Sequence, residues 1–135
     1  MGSGQAAMEY LVVISFALLL IVPIVIIFFS QSEDVTEQLS MNQLREIGRK
    51  IVTTSEKVYY LGEPSQTTLK VYMPSQVEKI IIDGKTLIFN VSIARSTSEV
   101  VFMSTVNMTG DITPISGVRF ILIKTEGGKV NITDA

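Results

Sequence analysis

The first third of the chain is a long run of apolar residues. Residues 10–32 carry no charge, and positions 11–29 are apolar except for Ser15 and Pro23. A helix over positions 11–29 is roughly 28 Å long, close to the ~30 Å hydrocarbon core of a bilayer. A core helix of a small domain would keep one polar face, and this run has none. The pattern therefore predicts a membrane-spanning helix at residues 10–32.

A cleavable secretory signal is a competing interpretation of this run. Such a signal has basic residues ahead of an apolar stretch of about 7–15 residues. Residues 1–5 contain no Lys or Arg, and the apolar run here is longer. The segment Ser30-Gln31-Ser32 has the small residues of a cleavage site, so this alternative stays open.

Pro23 lies in the middle of the predicted span. It removes the hydrogen bond to the Leu19 carbonyl and tends to kink a helix. One interpretation is a proline tolerated in a membrane helix. The other is a local break that lets packed copies of the helix tilt and slide.

A helical period continues beyond the apolar run. With one polar interruption at Thr54, apolar residues recur three or four positions apart, while Gly62 and Pro64 supply a stop signal. We therefore predict one helix from about Gln5 to about Leu61. Its apolar stripe packs on the domain of its own chain or against neighbouring subunits, and both can hold at different heights of the helix. The stripe consists of Leu44, Ile47, Ile51, Val58 and Leu61.

The last half of the chain has the alternating period of β-strands. Alternation is clear at 69–73, and a further strand is predicted at 100–105. Asp83-Gly84 and Gly127-Gly128 each separate two apolar runs, which predicts two hairpins. About six strands result, spaced as in a sandwich or small barrel. Their apolar face needs a cover, and the stripe at 44–61 can provide it.

These patterns together predict an α+β fold. A long N-terminal hydrophobic helix is followed by a small antiparallel β-sandwich or barrel-like domain. That domain packs on the C-terminal half of the helix.

Composition removes several kinds of chemistry. The chain has no Cys, His or Trp, which excludes disulfides, thiolate nucleophiles, Cys/His zinc sites and His-based triads. Eleven Lys and Arg against thirteen Asp and Glu give a net charge of −2 without a basic stripe, so no nucleic-acid binding is predicted. We predict no catalytic residues, no cofactor and no metal site. The carboxylates of the β half are scattered over predicted turns and loops, at Asp83, Glu99, Asp111, Glu126 and Asp134.

Three Asn-x-Ser/Thr sequons occur, at Asn90, Asn107 and Asn131. They represent either ordinary Ser- and Thr-rich β sequence or a glycosylated surface that faces the cell exterior. Asn107 falls in a predicted loop and is the best candidate acceptor. Asn90 and Asn131 fall on predicted strands, so each needs an outward-facing side chain.

Glu9 is an unusual residue next to an apolar span. A carboxylate at the bilayer centre costs about 2.5–3.5 kcal/mol, and less near the interface. Glu9 either lies at the headgroup level near the positive end of the helix dipole, or it pairs with a cation. No Lys or Arg is nearby in the chain, but a cut between Gly4 and Gln5 would create an α-amine four positions before Glu9.

The N-terminal segment resembles the class III signal peptide of archaeal type IV pilin-like proteins. The resemblance implies that a membrane aspartyl prepilin peptidase cuts between Gly4 and Gln5, and that Glu9 is the characteristic acid of the mature chain. It divides the chain into a leader 1–4, a long helix 5–62 and a β-rich domain 63–135. The matching residues are Gly4-Gln5-Ala6-Ala7-Met8-Glu9-Tyr10-Leu11, followed by about twenty apolar residues.

The resemblance implies a structural role without enzymatic activity. Subunits leave the bilayer and assemble with copies of themselves into an extracellular filament, with the help of the peptidase and the pilus assembly machinery. Gln5, Glu9 and Pro23 are the residues implied in subunit assembly, and the β domain faces outward at the cell surface. The alternative is a single-pass membrane-anchored ectodomain, or a minor pilin, that binds a partner or primes a filament. Roles in adhesion, motility, DNA uptake and biofilm formation remain open.

Overall fold

The order of elements is one helix followed by five strands. The computed structural model describes residues 2–93 and 96–135. Two compact units are present: the first ends at Gln38, and the second is Leu39–Ala135. The elements are α1 (Gly2–Leu61), β1 (Gln66–Met73), β2 (Val77–Ile93), β3 (Ser96–Asp111), β4 (Gly117–Glu126) and β5 (Lys129–Asp134).

The predicted long helix is confirmed as α1, which contains Pro23. Its end follows the predicted stop signal. Gly62 has φ 82°, a conformation that glycine adopts at low cost, and its N–H donates to the Tyr59 carbonyl at 3.1 Å. Leu61 is 69% exposed, so this member of the stripe does not pack on the sheet of its own chain. The buried face of α1 ends one turn earlier, at Val58.

The remaining stripe residues are buried in the second unit. Leu44, Ile47, Ile51 and Val58 belong to one core cluster together with residues of all five strands. This confirms that the stripe packs on the chain's own sheet. Ser55 lies on the same buried face and donates its hydroxyl to the Ile51 carbonyl at 2.7 Å, so this buried hydroxyl has the partner that it needs.

The strands form a single five-stranded layer with the order β1-β4-β5-β3-β2. Neighbours are antiparallel except for β3 and β5, which are parallel. The predicted hairpin at Gly127-Gly128 is confirmed between β4 and β5. Both glycines have positive φ, 60° and 75°, as a two-residue type I′ turn requires.

The predicted hairpin at Asp83-Gly84 is wrong. Both residues lie inside β2, and the two predicted strands around them form one strand of 17 residues. Gly84 has φ 58°, and the pairing with β3 shifts register between Gly84 and Thr86. The positive φ therefore produces an irregularity of the β-bulge kind instead of a chain reversal. Five strands result where about six were expected.

Aromatic packing joins α1 to the sheet. Phe89 is fully buried and meets Phe102 edge-to-face, with ring centroids 5.8 Å apart and an interplanar angle of 90°. The ring of Phe102 occupies the space where a Cβ at Gly48 would lie. Glycine at this helical position thus allows close approach of α1 to β3, so Gly48 is a packing residue.

Candidate functional site

The exposed apolar segment of α1, residues 8–29, is the first candidate site. Its large apolar side chains, from Met8 to Phe29, are each between 41% and 69% exposed. In the part of the chain that the structure describes, α1 is one helix long and apolar enough to cross a membrane. An apolar surface of this extent marks contact with lipid or protein. The segment therefore indicates a membrane association.

The hydroxyl groups in and next to this segment are satisfied within the helix. Ser15 Oγ donates to the Leu11 carbonyl at 2.8 Å, and Ser30 Oγ donates to the Ile27 carbonyl at 2.9 Å. Hydroxyls bonded in this way need no water. The helix is consequently compatible with lipid or with a dry helix bundle on all sides.

The predicted cleavage and assembly residues lie on the exposed surface of the first unit. Gly4, Gln5, Glu9 and Pro23 are all exposed residues of α1. Gln5 and Glu9 are four positions apart, which places them on the same side of a helix. Pro23 lies farther along the same helix, away from this pair. Within residues 2–93 and 96–135, Glu9 has no ion-pair partner.

The three sequons lie on the second candidate site, the sheet face that α1 does not cover. Each asparagine lies between two buried residues of its strand, so the alternation of a strand turns it away from the core. Asn107 is exposed, whereas Asn90 and Asn131 are half-buried. Asn107 lies within β3 and not in a loop as predicted, because β3 is longer than the predicted strand.

The sheet brings two of the sequons together. Thr109 of β3 pairs with Asn131 of β5 in the parallel register, and Thr109 is also the third residue of the Asn107 sequon. The two acceptors therefore lie on adjacent strands of one surface, while Asn90 lies opposite Glu99 on the β2–β3 pair. Sequence reasoning did not find this neighbourhood, since it depends on the parallel pairing.

Exposed apolar side chains occupy one end of the same uncovered face. Tyr72 is 61% exposed and Val118 is 55% exposed, and the two residues pair across β1 and β4. Phe120 is 51% exposed and lies two positions farther along β4. Sequence analysis did not single out this patch, although Tyr72 alternates with buried Val71 and Met73 in the sequence. Such a patch is suited to contact with another molecule.

An ion pair at the ends of β4 and β5 has a structural role. Arg119 Nη2 lies 3.1 Å from Asp134 Oδ1, and the Thr113 N–H donates to Asp134 Oδ2 at 3.0 Å. Burial acts to raise the pKa of Asp134. The hydrogen bonds from the Thr113 side chain and backbone, together with the charge of Arg119, outweigh that effect and lower the pKa. The carboxylate thus fastens the segment that precedes β4.

Residues 2–93 and 96–135 contain no cluster of three or more acidic, His or Cys side chains that could hold a metal ion.

A scan of protein-family models, a search of curated proteins and a search of solved structures each find no match to the chain.

Proposed function

We propose that the protein is a non-enzymatic structural subunit that assembles into a pilus-like extracellular filament through its apolar helix segment. The exposed segment 8–29 carries the proposal. Burial of an apolar side chain contributes about 1.5–3 kcal/mol, so a chain that leaves the bilayer must cover this surface with other protein. Identical segments of neighbouring copies can do so. The resemblance of residues 4–11 to a class III signal peptide supports this choice.

Glu9 gives the proposal a specific assembly contact. In a dry bundle of helices, an unpaired carboxylate is strongly destabilising, and a hydrogen-bonded cation removes that penalty. Cleavage before Gln5 would create an α-amine at the start of the helix. The amine of one subunit then pairs with Glu9 of its neighbour.

The uncovered sheet face supports an extracellular position. Asn107, Asn90 and Asn131 all lie on the face opposite α1. Glycans there would leave the helix free to pack in the filament core. Asn107 is the preferred acceptor because it is the exposed member of the three.

A membrane-anchored ectodomain that binds a partner is the second candidate. The exposed patch of Tyr72, Val118 and Phe120 favours it, because an anchored domain could present this patch to another molecule. In that case the apolar segment stays in the bilayer and Glu9 needs no partner from another copy.

N-terminal sequencing and intact mass of protein sheared from cell surfaces, with electron microscopy of the same material, test the proposal. Filaments whose subunit begins at Gln5 support assembly and processing, and a mass above that of the polypeptide supports glycosylation. Material found only in membranes and beginning at Met1 contradicts the filament and favours the ectodomain. Asn107→Gln should lower the subunit mass by one glycan, with Asn42→Gln, outside any sequon, as the matched control.

A further inference from the structure

Charge is separated along the chain. The charged residues up to position 38 are all acidic: Glu9, Glu33, Asp34 and Glu37. All eleven Lys and Arg residues occur from Arg45 onward. The apolar segment is therefore followed first by an acidic stretch and then by the first cations of the chain. Such asymmetry favours contacts between different parts of two copies.

The acidic turn, defined as Glu33, Asp34 and Glu37, directly follows the apolar segment. Glu37 lies four positions after Glu33 and three after Asp34, so it is a neighbour of both on the helix surface. Glu33 and Asp34 are exposed, and Glu37 is half-buried. None of the three forms an ion pair with another described residue. Three negative charges are thus available to another molecule.

The basic face, defined as Arg45, Arg49, Lys50 and Lys57, is the exposed side of α1 within the second unit, and its Lys50 borders strand β1 at Lys70. All four residues are exposed, while the opposite side of the helix is buried in the core. Glu46 is 4.0 Å from Lys50, a long contact between exposed groups that contributes little. Glu56 is bonded to Thr105 of the sheet. The face therefore retains an excess of positive charge.

We propose that the basic face of one copy docks on the acidic turn of a neighbouring parallel copy that is shifted along the helix direction. This inference rests on the proposed filament and names a second contact within it. Apolar association is not directional, so packing of residues 8–29 leaves the alignment of two copies open. Opposite charges across an interface select one alignment and disfavour others.

The other simple alignments bring like charges together. Two level, parallel copies place acidic turn beside acidic turn and basic face beside basic face. Two antiparallel copies with overlapping apolar segments bring the acidic turn of one toward Glu9 of the other. Of these three alignments, the shifted parallel one brings the basic face to the acidic turn while apolar surfaces remain in contact. Arg45 lies eight positions after Glu37, whereas Glu9 lies four positions after Gln5. The contact is therefore made with a different neighbour from the one whose α-amine pairs with Glu9.

The proposed contact also explains how copies can add to one another without limit to form a filament. The two surfaces are different parts of the chain, so each copy uses its basic face toward one neighbour and its acidic turn toward another. A heterologous contact of this kind continues indefinitely unless its rotation closes a ring. Each exposed pair is individually weak, but the contact repeats at every subunit of the filament.

Cross-linking in the full-length protein tests the contact directly, since the chain contains no cysteine. A tagged Glu37→Cys copy is co-expressed with a differently tagged Arg45→Cys copy, and sheared filaments are oxidised. A disulfide between the two tags is expected. Co-expression of Glu37→Cys with Lys129→Cys, an exposed position at the start of β5, is the control. Equal cross-linking in both combinations, or none in either, overturns the inference.

Neutralisation provides a second readout that needs no cross-link. Arg45→Gln with Arg49→Gln should reduce filament yield about tenfold and make assembly less sensitive to salt. Lys124→Gln with Lys129→Gln removes the same charge from the sheet and should leave the yield unchanged. Normal filaments from the first variant overturn the inference but leave the proposed function intact. Absence of filaments from the unmodified chain overturns both.

Discussion

Glu56 and Thr105 join helix α1 to strand β3 through two hydrogen bonds to a single carboxylate oxygen. Glu56 Oε1 accepts from the Thr105 N–H at 3.0 Å and from the Thr105 hydroxyl at 3.1 Å. The Ser104 hydroxyl is a third, longer donor at 3.4 Å. Charge-assisted hydrogen bonds of this kind are about twice as strong as neutral ones. The carboxylate therefore fixes the helix on the sheet about two turns beyond Gly48, where the ring of Phe102 packs close to α1.

Replacement of Glu56 should weaken the second unit. Glu56→Ala removes the acceptor for Thr105, and we expect a loss of about 1–3 kcal/mol in the free energy of unfolding. Thermal and chemical unfolding of the full chain in detergent, followed by circular dichroism, measures the loss. Glu46→Ala removes an exposed carboxylate from the same helix and should change stability by less than about 0.5 kcal/mol. Equal stability of the two variants would contradict the assigned role of Glu56.

Asp134 should make stability depend on pH in the acid range. Its pKa in the folded chain lies below the ordinary value of 3.8, so the carboxylate binds protons more weakly in the folded state than in the unfolded state. The stabilisation is complete above about pH 5 and is lost as the pH falls through the ordinary pKa and then the lowered pKa. Asp134→Asn should therefore be less stable than the unmodified chain at pH 7, with the difference disappearing in strong acid.

The control for this pH dependence is Asp83→Asn, at an exposed position of β2. It removes one carboxylate that makes no ion pair among the described residues. Its stability should follow that of the unmodified chain across the same pH series. If the stability of Asp134→Asn also matches that of the unmodified chain at each pH, the contacts of Asp134 with Arg119 and Thr113 do not contribute to folding.

Gly110 should tolerate no side chain. It has φ 131° and pairs with Ile132 in the parallel register, and an added Cβ would overlap the Ile132 backbone. Gly110→Ala should lower the free energy of unfolding by about 2–5 kcal/mol, since backbone strain and steric overlap act together. Gly117→Ala is the matched control, because its φ of 105° is also unfavourable but the space around it is open. Urea unfolding measures both variants. A smaller loss in the free energy of unfolding for Gly110→Ala than for Gly117→Ala would exclude the overlap of the added Cβ with the Ile132 backbone.

Two similar dipeptides show how far local sequence determines this fold. Gly127-Gly128 forms the predicted turn, whereas Asp83-Gly84 continues a strand. In both cases a glycine with positive φ lies between apolar runs, so local propensity does not separate them. The difference lies in the partner strand: β3 is long enough to pair with β2 on both sides of the register shift. Its length was not evident from the predicted strand at 100–105.

The candidate sites also differ in whether local sequence or tertiary pairing determines them. The exposed helix segment was predictable, because nineteen nearly uninterrupted apolar positions need no tertiary context to be recognised. The proximity of Asn107 and Asn131 was not predictable from the sequence, since it depends on parallel pairing between residues distant in the chain. The same pairing explains why Asn107 lies on a strand and not in a loop.

Glu9 distinguishes a filament subunit from a simple membrane anchor. Glu9→Gln keeps the size of the side chain and removes its charge. If Glu9 pairs with the α-amine of a neighbouring subunit, that amine is left buried without a partner, which costs about 3–5 kcal/mol per contact. Filaments counted by electron microscopy should then fall at least about a hundredfold, while the amount of protein in the membrane stays constant. Glu99→Gln, exposed on the uncovered sheet face, should assemble normally. Equal filament numbers for Glu9→Gln and Glu99→Gln would remove Glu9 from the assembly contact, because a headgroup-level carboxylate has no role between subunits.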